Sequence, residues 1–271
     1  MRRETFNTPG PLTLDLRVPS GEIALESVDG EETIVEIDAS SSNDDVRSIV
    51  EEARIELRQR GDRQELLVDV PRKRRGLGAI FDRADFRLHV TAPHGADVHV
   101  STASADVDGR GRFGDLKAEV ASGDVRFVDL SGRADVKSAS GDVDLENVGA
   151  EANVATASGD VRIGRVVGQA TLRSASGDLA VDEAEASVTV QTASGDQRLG
   201  SVVSGRVTMQ SASGDQVVGV RRGSRVHIDA KTMSGETTSE LEVGDAPAVG
   251  DGPEIDLRLT AMSGDIRIQR A

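Results

Sequence analysis

The tripeptide Ser-Gly-Asp recurs at Ser122, Ser140, Ser158, Ser176, Ser194, Ser213 and Ser263, with near-copies at Ser20-Gly21-Glu22, Ser104-Ala105-Asp106 and Ser234-Gly235-Glu236. From Ser104 to Ser194 the interval is 18 residues every time, and the later intervals are 19, 21 and 29. A fixed period in this range marks one supersecondary unit stacked on copies of itself, since one unit alone cannot bury its apolar face. The chain is therefore read as a solenoid before any residue is read as a site.

Aligned on the Ser, the positions six, four and two before it are Leu116, Ala118, Val120; Ala134, Val136, Ser138; Ala152, Val154, Thr156; Ala170, Leu172, Ser174; Val188, Val190, Thr192; and Val207, Met209, Ser211. The residues between them are mostly polar, so this half of the repeat is a strand with one buried face. After the Asp a second alternating run begins at Val125 and Phe127, Val143 and Leu145, Val161 and Ile163, and Leu179 and Val181. The pattern predicts an all-β fold, a single elongated β-solenoid with coils of about 18 residues, each made of two short strands. A hexapeptide helix fails, because six residues beyond Val125 stands Ser131 and six further stands Lys137. Paired calcium-binding nonapeptides would need an Asp-bearing turn in both halves of the coil, and only one half has it.

The same register reaches the N-terminus, where Leu14, Leu16 and Val18 precede Ser20 and Ile23, Leu25 and Val28 follow Glu22. The expected organisation is a first coil in 1–40, an insertion in 41–95, and a repeat solenoid in 96–271 with an irregular C-terminal cap. Within the insertion, Val46, Ile49, Val50 and Ala53 fall at helical spacing and predict a short helix over 44–53, with Ser42 or Asn43 as its N-cap. A hairpin over 55–70 turning at Gly61-Asp62, a basic loop over 71–84, and a strand through Phe86, Leu88 and Val90 complete it. Its expected role is to cover an otherwise exposed β edge.

The recurrent Ser-Gly-Asp with alternating small and branched residues, preceded by an extended segment ending in the turn Ala92-Pro93-His94-Gly95, resembles a bacterial β-strand-repeat family named for adhesins, a domain of unknown function. The resemblance spans essentially the whole chain. It implies the repeat architecture, brings no catalytic motif with it, and implies a cell-envelope association, because many members are exported or membrane-tethered.

Composition narrows the function. Aromatic residues make up 2% of the 271, with no Trp and no Tyr, which suits a narrow coil with little room for rings. A formal net charge of −15 opposes nucleic acid and anionic membranes as general partners. Without cysteine there is neither a disulfide framework nor thiol chemistry. The first residues are not followed by an apolar signal region and no 18-residue apolar run exists, so the expected location is the cytoplasm.

Three groups of residues are candidates for function. The first is the ladder Asp124, Asp142, Asp160, Asp178, Asp196 and Asp215. Stacked about 4.8 Å apart, these carboxylates repel by about 0.9 kcal/mol per neighbour in water, so something must offset the repulsion. Either the side chains accept hydrogen bonds from turn N–H groups, or the ladder binds calcium or a cationic partner. The second group is Arg72, Lys73, Arg74, Arg75 and, beyond them, Phe81, read either as a hairpin connection or as a docking element. The third is the outward face around Arg126, Asp144, Arg162, Arg198 and Arg267, with Lys117, Lys137 and Arg173 on the opposite sheet. His89, His94, His99 and His227 lack the paired spacing of a metal site, and no Ser is placed with a His and an Asp by any recognisable motif. No catalytic residue, cofactor or metal is expected. The function expected is a non-catalytic, adhesin-like scaffold presenting a charged face to a protein or carbohydrate, as a monomer or an end-to-end oligomer. The alternatives are a structural protein that self-assembles through its solenoid ends and, third, a carbohydrate-active enzyme.

Overall fold

The computed structural model describes residues 1–39, 44–71, 86–241 and 252–271. They form two units, residues 1–132 with 136–141, and residues 133–135 with 142–271.

The first unit contains β1 (Arg2–Asn7), β2 (Leu12–Val28), β3 (Glu32–Ala39), α1 (Asp44–Glu52), β4 (Arg54–Arg60), β5 (Arg63–Asp69), β6 (Phe86–Pro93), β7 (Asp97–Phe113), β8 (Leu116–Ser122) and β9 (Val125–Leu130). Its central strand is β2, whose alternation buries Leu12, Leu14, Leu16 and Val18 and then Ile23 and Leu25. One edge of β2 pairs parallel with β7, in a register that sets Ser20 beside Ser104 and Glu22 beside Asp106. The two near-copies of the tripeptide are thus stacked neighbours across 84 residues of chain, as the N-terminal register predicts. The other edge of β2 is shared, its first half by β5 and its second half by β6. Beyond these the direction changes: β4 runs antiparallel to β5, β3 to β6, and β1 to β3.

Helix α1 ends one residue before the expected limit, and Ser42 and Asn43, the expected caps, lie outside the described residues. The other end is held by Arg2, whose guanidinium donates to the carbonyls of Val50, Glu51 and Ala53 at 3.3, 3.0 and 2.5 Å. A cation there satisfies carbonyls that have no helical partner and complements the helix dipole. On the far side of β7, strands β8 and β9 pair at an 18-residue offset, Val98 with Leu116 and Val107 with Val125. Phe127 crosses Phe113 edge to face at 5.6 Å, and a Cβ on Gly109 would lie 2.3 Å from the Phe127 ring. The aromatic ring is accommodated because the neighbouring coil carries no side chain there, and the register shifts just beyond, between Gly109 and Arg112.

The boundary between the units passes through β10 (Ala134–Ser140). The second unit continues with β11 (Val143–Val148), β12 (Ala152–Ser158), β13 (Val161–Val166), β14 (Ala170–Ser176), β15 (Leu179–Ala184), β16 (Val188–Ser194), β17 (Gln197–Val202), β18 (Gly205–Ser213), β19 (Gln216–Val220), β20 (Arg225–Ser234), β21 (Thr237–Ser239), β22 (Glu254–Ser263) and β23 (Ile266–Arg270). These make two parallel ladders. Odd-numbered strands stack as β11–β13–β15–β17–β19, so that Val143, Val161, Leu179 and Gln197 are successive neighbours. Even-numbered strands stack as β12–β14–β16–β18, aligning Val154, Leu172, Val190 and Met209. The inward side chains are buried as the alternation requires.

Past β18 and β19 the order in space departs from the order in sequence. Strand β22 pairs with β18 on one side and β20 on the other, and β23 lies between β19 and β21. The last strand pair of the chain is therefore inserted inside the stack, and the pair that precedes it in sequence forms the outer layer of these ladders. The fold is all-β, mostly parallel and solenoid-like, with one short helix among the described residues. No helix of the described residues is long and apolar enough to cross a membrane.

Candidate functional site

The Ser-Gly-Asp turn resolves into a hydrogen-bonded ladder. In the second unit Asp142 Oδ1 accepts from the backbone N–H of Asp160 at 2.9 Å, Asp160 from Asp178 at 2.8 Å, Asp178 from Asp196 at 2.8 Å, and Asp196 from Asp215 at 2.8 Å. Asp215 then accepts from Asp265 at 2.8 Å and Asp265 from Glu236 at 2.9 Å, while in the first unit Asp106 accepts from Asp124 at 3.0 Å. One oxygen of each carboxylate is thus used by the next coil, and these charge-assisted bonds offset the repulsion between stacked acids. The glycine is required by the same geometry. At Gly195 and Gly214 φ is +134° and +124°, and a Cβ would stand 2.1 Å from the carbonyl oxygen of the glycine one coil below. Among the described residues no group of three or more His, Asp or Glu side chains is placed to hold a metal ion.

The outward basic residues fall into a register of their own. Along the odd ladder the first outward position after the turn reads Asp144, Arg162, Ala180, Arg198, Val217, Arg267 and Thr238. Arginine returns on alternate strands. Arg162 reaches Asp182 at 2.8 Å, and that hydrogen bond raises its pKa further above the ordinary arginine value. In the first unit Arg126 pairs with Asp124, in the turn that precedes its strand, at 2.6 Å. Arg198 and Arg267 are exposed and have no side-chain partner among the described residues. On the even ladder Arg173 donates to Gln191 Oε1 at 3.1 Å, and Gln191 donates to Gln210 Oε1 at 3.0 Å, a row of neutral amides rather than of cations. Lys117 and Lys137 are exposed in the first unit. Arg72, Lys73, Arg74, Arg75 and Phe81 lie outside the described residues.

Sequence spacing missed two arrangements. In the first, Ser27 Oγ lies 2.8 Å from His94 Nδ1, and His94 Nε2 lies 3.5 Å from Asp29 Oδ1, bringing together a Ser, a His and an Asp. Ser27 Oγ also accepts the Arg112 N–H at 2.6 Å and is 7% exposed, whereas Asp29 is 98% exposed. A nucleophile needs a reachable lone pair and a base held by a fixed acid. Here the hydroxyl joins the turn after β6 to β2 and to the β7 bulge. The partners are 67 residues apart, so only the folded chain shows the grouping.

The second arrangement is internal. Gln197 and Gln216 occupy the inward row that holds Val161, Leu179 and Ile266, and are 1% and 0% exposed. Their Nε2 groups donate to the carbonyls of Gln210 at 2.7 Å and Thr260 at 3.0 Å. The signal was the break in the apolar alternation at these two positions. His89 faces Glu36 at 3.4 Å in the first unit.

These features define a parallel, solenoid-like repeat protein whose recurring motif is a hydrogen-bonded turn. The chain belongs to the Toastrack DUF4097 family, which it matches over residues 32–269. Two crystal structures provisionally named adhesins are similar in fold. One, from Parabacteroides distasonis ATCC 8503, is 11% identical, with 98% of this chain and 96% of that one covered and a TM-score of 0.48. The other, from Bacteroides fragilis NCTC 9343, is 14% identical over 100% of this chain and 96% of that one, with a TM-score of 0.46. No curated protein matches the chain.

Proposed function

We propose that the chain is a non-catalytic β-solenoid, with coils of about 18 residues and two short strands each, that presents a repetitive charged face to a macromolecular partner. The observation that carries this reading is the register of Arg162, Arg198 and Arg267 on alternate strands of one ladder. Two strand spacings separate successive arginines by about 9.6 Å. A guanidinium is a rigid fork of donors suited to carboxylates and to the oxygens of a sugar. The net charge of −15 disfavours long polyanions such as nucleic acid, leaving a protein or a carbohydrate of low charge density as the partner. In this reading segment 41–95 covers the first coil, and the basic loop 71–84 is a second docking element, whose role is tested by deleting residues 72–83.

A short oligogalacturonate, which carries carboxylates without the length of a polyanion, is the probe for the arginine row. Retention of the full chain on immobilised oligogalacturonate at low salt, lost in Arg198→Glu/Arg267→Glu without a change in melting temperature, supports the reading. No retention of the parent chain, or equal retention of the variant, overturns it for carbohydrate. A second reading, self-association, is favoured by one observation: β20 and β21 each pair on one side only among the described residues.

A further inference from the structure

The outer strand β20 is open in three respects. Among the described residues its backbone partner is β22 alone. Because Arg225 directs its N–H to Pro253 O at 2.9 Å, alternation sends the N–H and C=O groups of Val226, Ile228, Ala230 and Thr232 to the free side. The inward side chains of Val226, Ile228 and Ala230 are half-buried, whereas their neighbours on β22, Ile255, Leu257 and Leu259, are 0% exposed. An apolar row and a row of unpaired backbone groups on the same strand form a template for one more strand.

The outward side chains indicate which strand. Arg225, His227, Asp229 and Lys231 are exposed in alternation, and Lys231 Nζ lies 2.9 Å from Asp229 Oδ1. We infer that β20 pairs antiparallel with β20 of a second copy of this chain, centred on Ala230; this rests on the self-association reading and names its interface. In that register the edge-facing residues oppose one another, Ala230 with Ala230 and Ile228 with Thr232. Asp229 of each copy falls opposite Lys231 of the other, at positions where antiparallel side chains approach most closely. The pairing is its own mirror in sequence, so one twofold operation makes every contact twice and closes the assembly at a dimer. A parallel pairing of the same strands has no such closure.

Light scattering coupled to size exclusion over a hundredfold concentration range tests this on the full chain. The mass is expected to rise towards twice that of one chain. Ala230→Pro removes an edge-facing N–H while leaving the bonds to β22, and is expected to stay monomeric throughout. Asp229→Lys sets like charges opposite each other and is expected to weaken the dimer at least tenfold, with Asp229→Lys/Lys231→Asp restoring it. If Ala230→Pro fails to fold, the charge-reversal pair decides alone. A parent chain that is monomeric at every concentration overturns the inference together with the self-association reading. A dimer indifferent to all three variants overturns this interface and leaves self-association standing.

Discussion

Asp265 donates its backbone N–H to Asp215 Oδ1 at 2.8 Å although the two residues are 50 positions apart, while Glu236, which lies between them in the chain, donates to Asp265 from one layer further out. The acceptor ladder thus follows the order of the stack rather than the order of the sequence, and it continues unbroken across the inserted C-terminal strands.

That ladder predicts a difference between two substitutions of one residue. Asp178→Asn keeps an acceptor for the Asp196 N–H, and its stability is expected within about 0.5 kcal/mol of the parent; Asp178→Ala removes the acceptor and is expected to cost about 1–2 kcal/mol. Urea unfolding measures both. Equal effects would show that the charge, not the hydrogen bond, matters there.

The same ladder separates turn chemistry from ion binding. If the carboxylates act only as acceptors, the melting temperature is expected not to change with millimolar calcium, either in the parent or in the triple variant Asp142→Asn/Asp160→Asn/Asp178→Asn. A calcium-dependent rise in the parent that disappears in the triple variant would assign the ladder to cation binding instead.

Gly195 and Gly10 both have positive φ, +134° and +91°, but a Cβ at Gly195 meets Gly177 O at 2.1 Å, while at Gly10 nothing lies within 4 Å. Gly195→Ala combines backbone strain with collision and is expected to lose about 3 kcal/mol or more. Gly10→Ala has the strain alone and is expected to lose about 1 kcal/mol. Comparable losses in denaturant unfolding would mean that close stacking of the turns is not what demands glycine.

Gly109→Ala is expected to destabilise the first unit by about 1–3 kcal/mol, because the new Cβ would lie 2.3 Å from the buried Phe127 ring, which packs on Phe113. Gly109→Ala/Phe127→Leu is expected to recover part of the loss, which calorimetry of both variants would show. No recovery would place the strain in the backbone at the bulge.

Acid sensitivity is expected from Glu56, whose pKa is held below the usual carboxylate range by hydrogen bonds first from Arg54 and then from Arg58. A carboxylate whose folded pKa is lowered contributes stability above its unfolded pKa, and that contribution is lost as pH falls through the folded value. Glu56→Gln is therefore expected to flatten the fall in melting temperature below the ordinary glutamate range. An unchanged acid profile would show that this exposed cluster is screened.

Much of this architecture was legible in the chain. Period, strand alternation and the repeated tripeptide fix which residues turn and which face inward, because side-chain direction in a strand has period two and stacked coils must share one register. Leu172, Val190 and Met209 could be assigned to one buried row on that basis alone. The near-copy at Ser20 showed that the repeat register extends to the N-terminus, and the structure sets it beside Ser104.

The tertiary structure decided three things that no local pattern encodes. One is the insertion of β22 and β23 between older neighbours, since any coil with the tripeptide satisfies the same edge and only competition among coils selects one. Another is the meeting of Ser27, His94 and Asp29, set by chain crossings between β2 and the turn after β6. The last is which arginines are paired: Arg162 and Arg198 flank the strand that carries Asp182 at equivalent positions, yet it is Arg162 that Asp182 accepts from. The sequence by itself determined a repeating coil and its inward face, through strand periodicity; the tertiary structure alone determined stacking order and charge pairing, which depend on distances between residues that the chain keeps far apart.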